Sequence, residues 1–333
     1  MKNISVLQRS RWRVSLNRAT RHGDLLWSLL IGAMAILVLL VVFAIGWMLW
    51  TQSAEARAQI GWSFFLPRAN ATWNPAKDIY QAWPFIYGTL ITSLVAIILA
   101  LPISLGIAVF LAELCPIRLR LPLNWMVEML AAIPSVVYGL WGIFVFLPHV
   151  VVPAGNILAP LNGLPLIGTL FTGPIPQSGS SRLAAATILT IMIVPTITAI
   201  SRDVLLAIPD NQREASLGLG ATRWETIWQV LLPYGLSGIL GAVILGLGRA
   251  LGETMAVTMV IGNSTEATGS LLKPGYTMAS LLALQFKEAV SHLHTEAMIE
   301  LGLTLFIITL ILNLLARFLV WRAARKTPQE ARE

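Results

Sequence analysis

Charge is scarce in this chain: 12% of its 333 residues are Asp, Glu, Lys or Arg, about half the roughly 25% usual in soluble domains. With 56% hydrophobic residues, that shortage excludes a soluble globular fold and leaves an all-α, polytopic membrane protein. Cysteine is almost missing too, and Cys115 alone can form no internal disulfide. None of the lysines follows a glycine, so the Gly-x-x-x-x-Gly-Lys-[Ser/Thr] phosphate loop is absent. Gly246-x-Gly248 followed by Gly252 spaces its last glycine wrongly for a dinucleotide fingerprint and lies in an apolar run. No nucleophile and base pair stands out, and His292 and His294 sit in a predicted external loop without further ligands nearby. The chain therefore reads as neither an enzyme nor a metal or cofactor protein.

What is present is a set of long apolar runs. A helix rising about 1.5 Å per residue needs roughly 20 apolar residues to cross about 30 Å of hydrocarbon. Six windows qualify: 25–50, 83–112, 123–147, 183–200, 236–262 and 298–320. The third carries Glu128, the last carries Glu300 and Arg317 near its ends, and the fifth carries Arg249 and Glu253. The first window is followed by Ala54-Glu55-Ala56, which looks like a cleavage site. Its apolar run exceeds the 7 to 15 residues or so of a signal core, so it reads as a retained anchor. Residues 148–182 are apolar but punctuated by Pro148, Pro153, Pro160, Pro165, Pro174 and Pro176, which predicts a broken surface loop.

Basic residues orient these spans. The N-terminal segment 1–24, the second loop, the fourth loop and the tail 321–333, counted with Arg317, hold 16 of the 23 Lys and Arg, and the opposite loops hold six. The positive-inside rule places both termini and the hairpin at 201–235 in the cytoplasm. The net charge of +7 then reflects topology and contact with anionic lipid. Nucleic acid is not an expected partner, because the basic clusters flank spans and carry no interleaved stacking aromatics. The loop at 51–82 faces the other side, and its Trp62, Phe64, Phe65, Trp73 and Tyr80 either rest at the interface or meet a soluble partner.

The hairpin REASLGLGATRWETIWQVLLP has a short helix begun by Glu214-Ala215-Ser216, interrupted at Gly218 and Gly220. A second helix over 221–232 is expected to close before Pro233. This segment resembles the signature loop of ABC importer permeases, matching at Glu214, Ala215, Gly220, Leu232 and Pro233, with Ser216 and Val230 as conservative departures. The resemblance implies that Arg213, Glu214, Ala215, Ser216, Gly220, Leu232 and Pro233 form an ATPase-coupling surface on the cytoplasmic side.

Arg249 and Glu253 stand one turn apart in an apolar helix, on one face, where each can partly neutralise the other. Such residues cost about 2.5 to 3.5 kcal/mol or more at mid-bilayer and usually face a polar interior. Two readings follow: a self-compensating pair that orients the helix, or a cationic surface offered to a passing oxyanion and tuned by the carboxylate. Thr254 and Thr258, with Thr187, Thr190, Thr196 and Thr198 of the fourth span, either line a wet path or bond back to their own helices. Gly235, Gly238, Gly241, Gly248 and Gly252 are expected to let this helix approach its neighbours closely.

The run GLGRALGETMAVTMVIGN, with AAIPSVVYGLWGIF at 131–144 and GTLITSLVAIILALPISLGIAVFLAEL at 88–114, is similar to phosphate ABC transporter permeases of the PstC type. The resemblance covers about 73–317. It implies a type I importer fold, with an extra first helix at 25–50 before a core of five helices at 83–320, in a bacterial inner membrane. It also implies a heterodimer with the permease PstA, two copies of the ATPase PstB and an external phosphate-binding protein, PstS. Arg249, Glu253, Thr254 and Thr258 would border the substrate path. Arg249 alone leaves another oxyanion, molybdate or sulfate, open, and an ion-gradient-driven transporter would also place ionisable residues in the bilayer.

Overall fold

The computed structural model describes residues 24–66, 73–165, 168–266 and 268–324, and among them the chain is helical with no strand. The basic segment before Asp24, and Arg325, Lys326 and Arg332 of the tail, lie outside the described residues. Six helical segments are long and apolar enough to cross a membrane. The chain divides after Gln52 into two units. The first contains α1 (Asp24–Gln52), 29 residues without a polar face and so about 43 Å long.

The second unit opens with α2 (Ala54–Ile60) and α3 (Trp83–Val109), which runs on through a wide turn, Phe110–Leu114. Next come α4 (Ile117–Ala132) and α5 (Ser135–Trp141), the latter continuous through Gly142–Val151 with α6 (Val152–Leu158). The third crossing is thus 135–163, not 123–147. The reason is local. Pro134 disfavours helix at the preceding residue, and Ile133 is extended at ψ 129°. Pro148, expected to end the span, lies inside the wide π-helical stretch 142–151, whose looser turn relieves the ring's clash with the preceding carbonyl. Pro153 follows where this stretch tightens into α6, its fixed φ compatible with the helix. Glu128, displaced from the span, is largely exposed on α4 and pairs with Arg202 at 3.4 Å.

At the centre, α3 packs against α7 (Arg182–Leu206). The two run parallel, and hydroxyl to carbonyl bonds join them: Thr190 Oγ1 to Ala96, Ser104 Oγ to Val194, and Thr198 Oγ1 to Ser104. Ala96 and Ala100 are fully buried at this contact, which small side chains make possible.

Beyond α7 the chain forms α8 (Asp210–Gly218), α9 (Arg223–Thr226), a wide turn Ile227–Leu231, and α10 (Leu232–Gly252). No helix end precedes Pro233: the residues from Arg223 to Gly252 form one continuous helical stretch, with the proline in the first turn of α10. α10 runs antiparallel to α7, close enough that a Cβ on Gly238 would meet Val204 at 2.6 Å and one on Gly246 would meet Ile197 at 2.8 Å. Gly235 also faces this contact, whereas Gly241, Gly248 and Gly252 front open space and serve no close approach here.

After α11 (Met255–Val260) the chain passes through 262–277 to α12 (Met278–Gln285) and α13 (His292–Ala324). Arg182, wholly buried at the start of α7, ties this loop down by donating to Thr268 Oγ1 (2.9 Å), the Ser270 carbonyl (3.0 Å) and the Glu266 carbonyl (3.4 Å). At the same end Phe64, Trp73 and Tyr80 form a buried core with Phe85, Tyr276 and Met298. Only Trp62 of the expected interfacial aromatics is strongly exposed, at 82%, because residues of α2 and of 64–66 and 73–82 pack against α12 and α13. His294 stacks on Tyr80 within this core. His292, expected to have no ligand near it, has Glu55 and Glu296 beside its Nδ1 at 3.2 and 3.4 Å.

Gly88 of α3 abuts the chain at Tyr276, whose carbonyl oxygen would stand 2.1 Å from an added Cβ. Backbone cannot yield as a side-chain tip can. Gly88→Ala should therefore cost about 1–3 kcal/mol and lower the thermal unfolding midpoint of the purified protein. Gly106→Ala, with nothing within 4 Å, should leave that midpoint unchanged or raise it, a helical alanine being worth up to about 1 kcal/mol over glycine.

Candidate functional site

The fifth crossing is interrupted. α10 ends at Gly252, Glu253 is extended (φ −69°, ψ 124°), Thr254 leads into the helix again, and α11 resumes at Met255. The break is deep in the bundle. Arg249, in the last turn of α10, donates from Nη1 to Thr196 Oγ1 at 3.1 Å, and Thr196 is the fifteenth of the 25 residues of α7, about 15 Å from its nearer end. Past the break, the Val260 carbonyl accepts from the Ser181 amide at the start of α7, so α10 and α11 together complete the crossing.

Arg249 and Glu253 do not share a face, because the helix ends between them. Glu253 turns to the next helix instead, its Oε1 accepting from the Ala256 amide at 3.2 Å. No ion pair joins the two among the described residues. The self-compensating pair is thus excluded in this conformation. Arg249 is half-buried and uses one of the five N–H donors of its guanidinium on a protein partner. Thr254 is half-buried, and its carbonyl accepts from both the Thr258 amide (2.9 Å) and the Thr258 hydroxyl (2.6 Å). The Thr258 hydroxyl is therefore spent on its own helix. Thr187 and Thr190 likewise bond back to preceding carbonyls, which leaves Thr196 as the span hydroxyl that meets the cation. Sequence could name Thr196 among several threonines but not choose it, since the choice depends on the α7 to α10 contact.

The hairpin separates into an anchored side and a free side. Arg213 faces inward: Nη2 and Nε donate to Glu113 Oε1 at 2.8 and 3.1 Å, Nη2 to the Leu205 carbonyl and Nη1 to the Ile208 carbonyl. Both side chains of this pair are under one-fifth exposed, so Arg213 clamps the hairpin to the end of α3 and does not present itself outward. Ser216 Oγ meets Thr226 Oγ1 at 3.0 Å and holds α8 to α9. Gly220 has φ +89°, a conformation costly for any side chain, and permits the sharp turn between them. Thr222 and Glu225 close a reciprocal cap on α9. Glu214, Ala215 and Pro233 are exposed and Leu232 is half-buried. Beside them stand Leu219, 90% exposed, and Trp224 and Trp228, both above half. These three form an exposed apolar patch on a polar hairpin, and sequence reasoning had passed over all three.

The family model described as "Binding-protein-dependent transport system inner membrane component" matches residues 104–325. A phosphate transport system permease protein PstC from Mesorhizobium japonicum is 44% identical over 298 residues, 89% of each chain. The chain belongs to the PstC family of binding-protein-dependent permeases. Another PstC relative, from Pasteurella multocida, is 42% identical and covers 96% of this chain and 98% of its own. PstC 2 of Mycobacterium tuberculosis is 36% identical over 90% and 92%. Among solved structures, a chain of a bacterial ABC transporter involved in alginate import superposes with a TM-score of 0.59 at 16% identity, covering 96% of this chain and all of that one. That likeness establishes the fold alone. The PstC match includes the hairpin, the broken crossing and Arg249, and it supports the type I importer architecture expected from the sequence.

Glu113→Gln removes the charge that holds Arg213. Hydrogen bonds to charged groups contribute about 1.5–3 kcal/mol, so amide hydrogen exchange across 210–220 should accelerate by roughly tenfold or more. Exchange in α7 should not change. Equal protection of the hairpin in the variant would show that the clamp does not fix it.

Proposed function

We propose that this chain forms half of the membrane pathway of an ATP-driven importer of inorganic phosphate, and that Arg249 meets the anion within it. One observation carries this reading: a guanidinium held half-open at a helix break deep in the bundle, with most of its donors uncommitted. Backbone left unpaired by such a break must face protein or water, since lipid offers it no partner. A multi-donor planar cation suits an oxyanion, for which it can supply two parallel hydrogen bonds. The relatives from Mesorhizobium japonicum and Pasteurella multocida are phosphate transport system permeases, and nothing supports molybdate, sulfate or an ion-gradient mechanism in preference.

In this reading the second half of the pathway is a PstA-type permease, and two PstB-type ATPases and a PstS-type binding protein complete the complex. The open faces of Gly241, Gly248 and Gly252 leave room on α10 beside Arg249 for a path or for the partner permease. Both termini and the hairpin lie in the cytoplasm, as the distribution of basic residues argues. Glu214, Ala215, Gly220, Leu232 and Pro233 form the docking surface with Leu219 and Trp224, while Arg213 and Ser216 hold it in shape. Because α9 continues without interruption into α10, movement of the docked hairpin reaches Arg249 along one helix. Glu253 and Thr254 shape the break, and Thr258 secures its far side. The Glu253 carboxylate also repels an arriving anion, which favours release.

Labelled phosphate uptake in cells tests the cation directly. Arg249→Gln should reduce uptake at least tenfold at equal membrane expression, and Arg249→Lys should retain part of it, keeping the charge without the fork. Uptake equal to wild type in Arg249→Gln would refute the assignment. For the docking surface, a cysteine at Gly218 or Leu219 should crosslink to the ATPase in the intact complex. Failure at every exposed hairpin position would tell against it.

A further inference from the structure

We propose that Glu55, His292 and Glu296 form a binding site for a divalent transition metal ion, zinc by its ligand chemistry, at the end of the bundle opposite the hairpin. The three come from distant parts of the chain: Glu55 from the first turn of α2, His292 and Glu296 from successive turns on one face of α13. Their donor atoms all lie within 4.8 Å of one another. Two of the separations are 3.2 Å, from His292 Nδ1 to Glu55 Oε2, and 3.4 Å, from His292 Nδ1 to Glu296 Oε1. Ligands about 2.0–2.2 Å from a tetrahedral zinc stand roughly 3.3–3.6 Å apart. These two edges are therefore already close to coordination length.

Hydrogen bonding alone does not account for the arrangement. A ring nitrogen carries at most one proton, yet two carboxylates point at the same Nδ1. Even the imidazolium leaves the trio with a net negative charge, and the neighbouring cation, Arg57, is engaged with Glu300 and Ser53. An ion of charge +2 balances the two carboxylates. Each carboxylate is also oriented by a donor on its remote oxygen: Gln59 Nε2 holds Glu55 Oε1 at 2.9 Å, and the Ala56 amide holds Glu296 Oε2 at 2.9 Å. That leaves Glu55 Oε2 and Glu296 Oε1 turned toward the ring nitrogen, the outer-shell pattern that tunes metal ligands. One imidazole and two carboxylates suit zinc better than calcium or magnesium, which take six or more oxygens. His292 and Glu55 are exposed on their far sides, at 78% and 49%, so water can fill the fourth position. A bound ion would staple α2 to the start of α13.

The test uses the intact permease complex, purified without a histidine tag, stripped with chelator and titrated with Co²⁺, then with Zn²⁺ as competitor. The expected result is one saturable equivalent per permease chain with the visible d–d bands of tetrahedral cobalt, displaced by zinc. His292→Ala, at an exposed helix start, should lose those bands and weaken affinity at least tenfold, and Glu55→Gln should weaken it as well. Loss of an outer-shell partner alone typically costs about 10–100-fold. Absence of a saturable equivalent, or cobalt spectra identical in wild type and His292→Ala, would overturn the proposal and leave an imidazole and carboxylate hydrogen-bond cluster.

Discussion

Hydrocarbon offers a backbone no hydrogen-bond partner, so a chain crossing it must satisfy its own amides and carbonyls. This protein obeys that constraint almost everywhere and departs from it at Glu253 and Thr254. Most of the surrounding structure can be understood as support for that departure. The α3 and α7 pair supplies a rigid floor, its helices joined by hydroxyl to carbonyl bonds. Glycines on α10 press the helix against that floor, which brings Arg249 within reach of Thr196. Glu253 and Thr254 then restart the helix as α11.

The hairpin end obeys a different logic. There the chain is polar, water is available, and the informative feature is apolar exposure. Leu219 and Trp224 stand open on a scaffold made stiff by Arg213 and Glu113, by the Ser216 to Thr226 contact and by the cap on α9. A stiff element with an apolar tip is suited to receive force from a partner and pass it on. In the proposed mechanism its route is short, since α9 and α10 are one continuous helical stretch.

Much of this was legible in the primary structure. Apolar windows overlap every crossing and match the first and second to within two residues, because a long run without charge has no other stable home, whereas the fifth begins at Arg223, 13 residues before its window. The third was misplaced because the prolines from Pro148 on were read as helix breakers while Pro134, inside the window, was not. Pro134 broke the chain, and Pro148 and Pro153 did not. Whether a proline interrupts depends on the register of the turn around it, which composition does not encode. The aromatics of this loop were misassigned for a related reason: amphipathic rings suit an interface and a packed core equally, and only the packing of Phe64, Trp73 and Tyr80 with residues of α12 and α13 selects the core.

Sequence by itself determined the class, the number of crossings, the hairpin and Arg249 as a cation within an apolar span, because each is written in residues that are neighbours along the chain. Tertiary structure decided what those residues touch. It parted Arg249 from Glu253 by ending a helix between them, gave the cation Thr196 from a helix some fifty residues away, turned Arg213 inward and set Glu55 beside His292 across 237 positions. Contacts of that span follow from how helices pack, and a one-dimensional periodicity carries no information about which faces will meet.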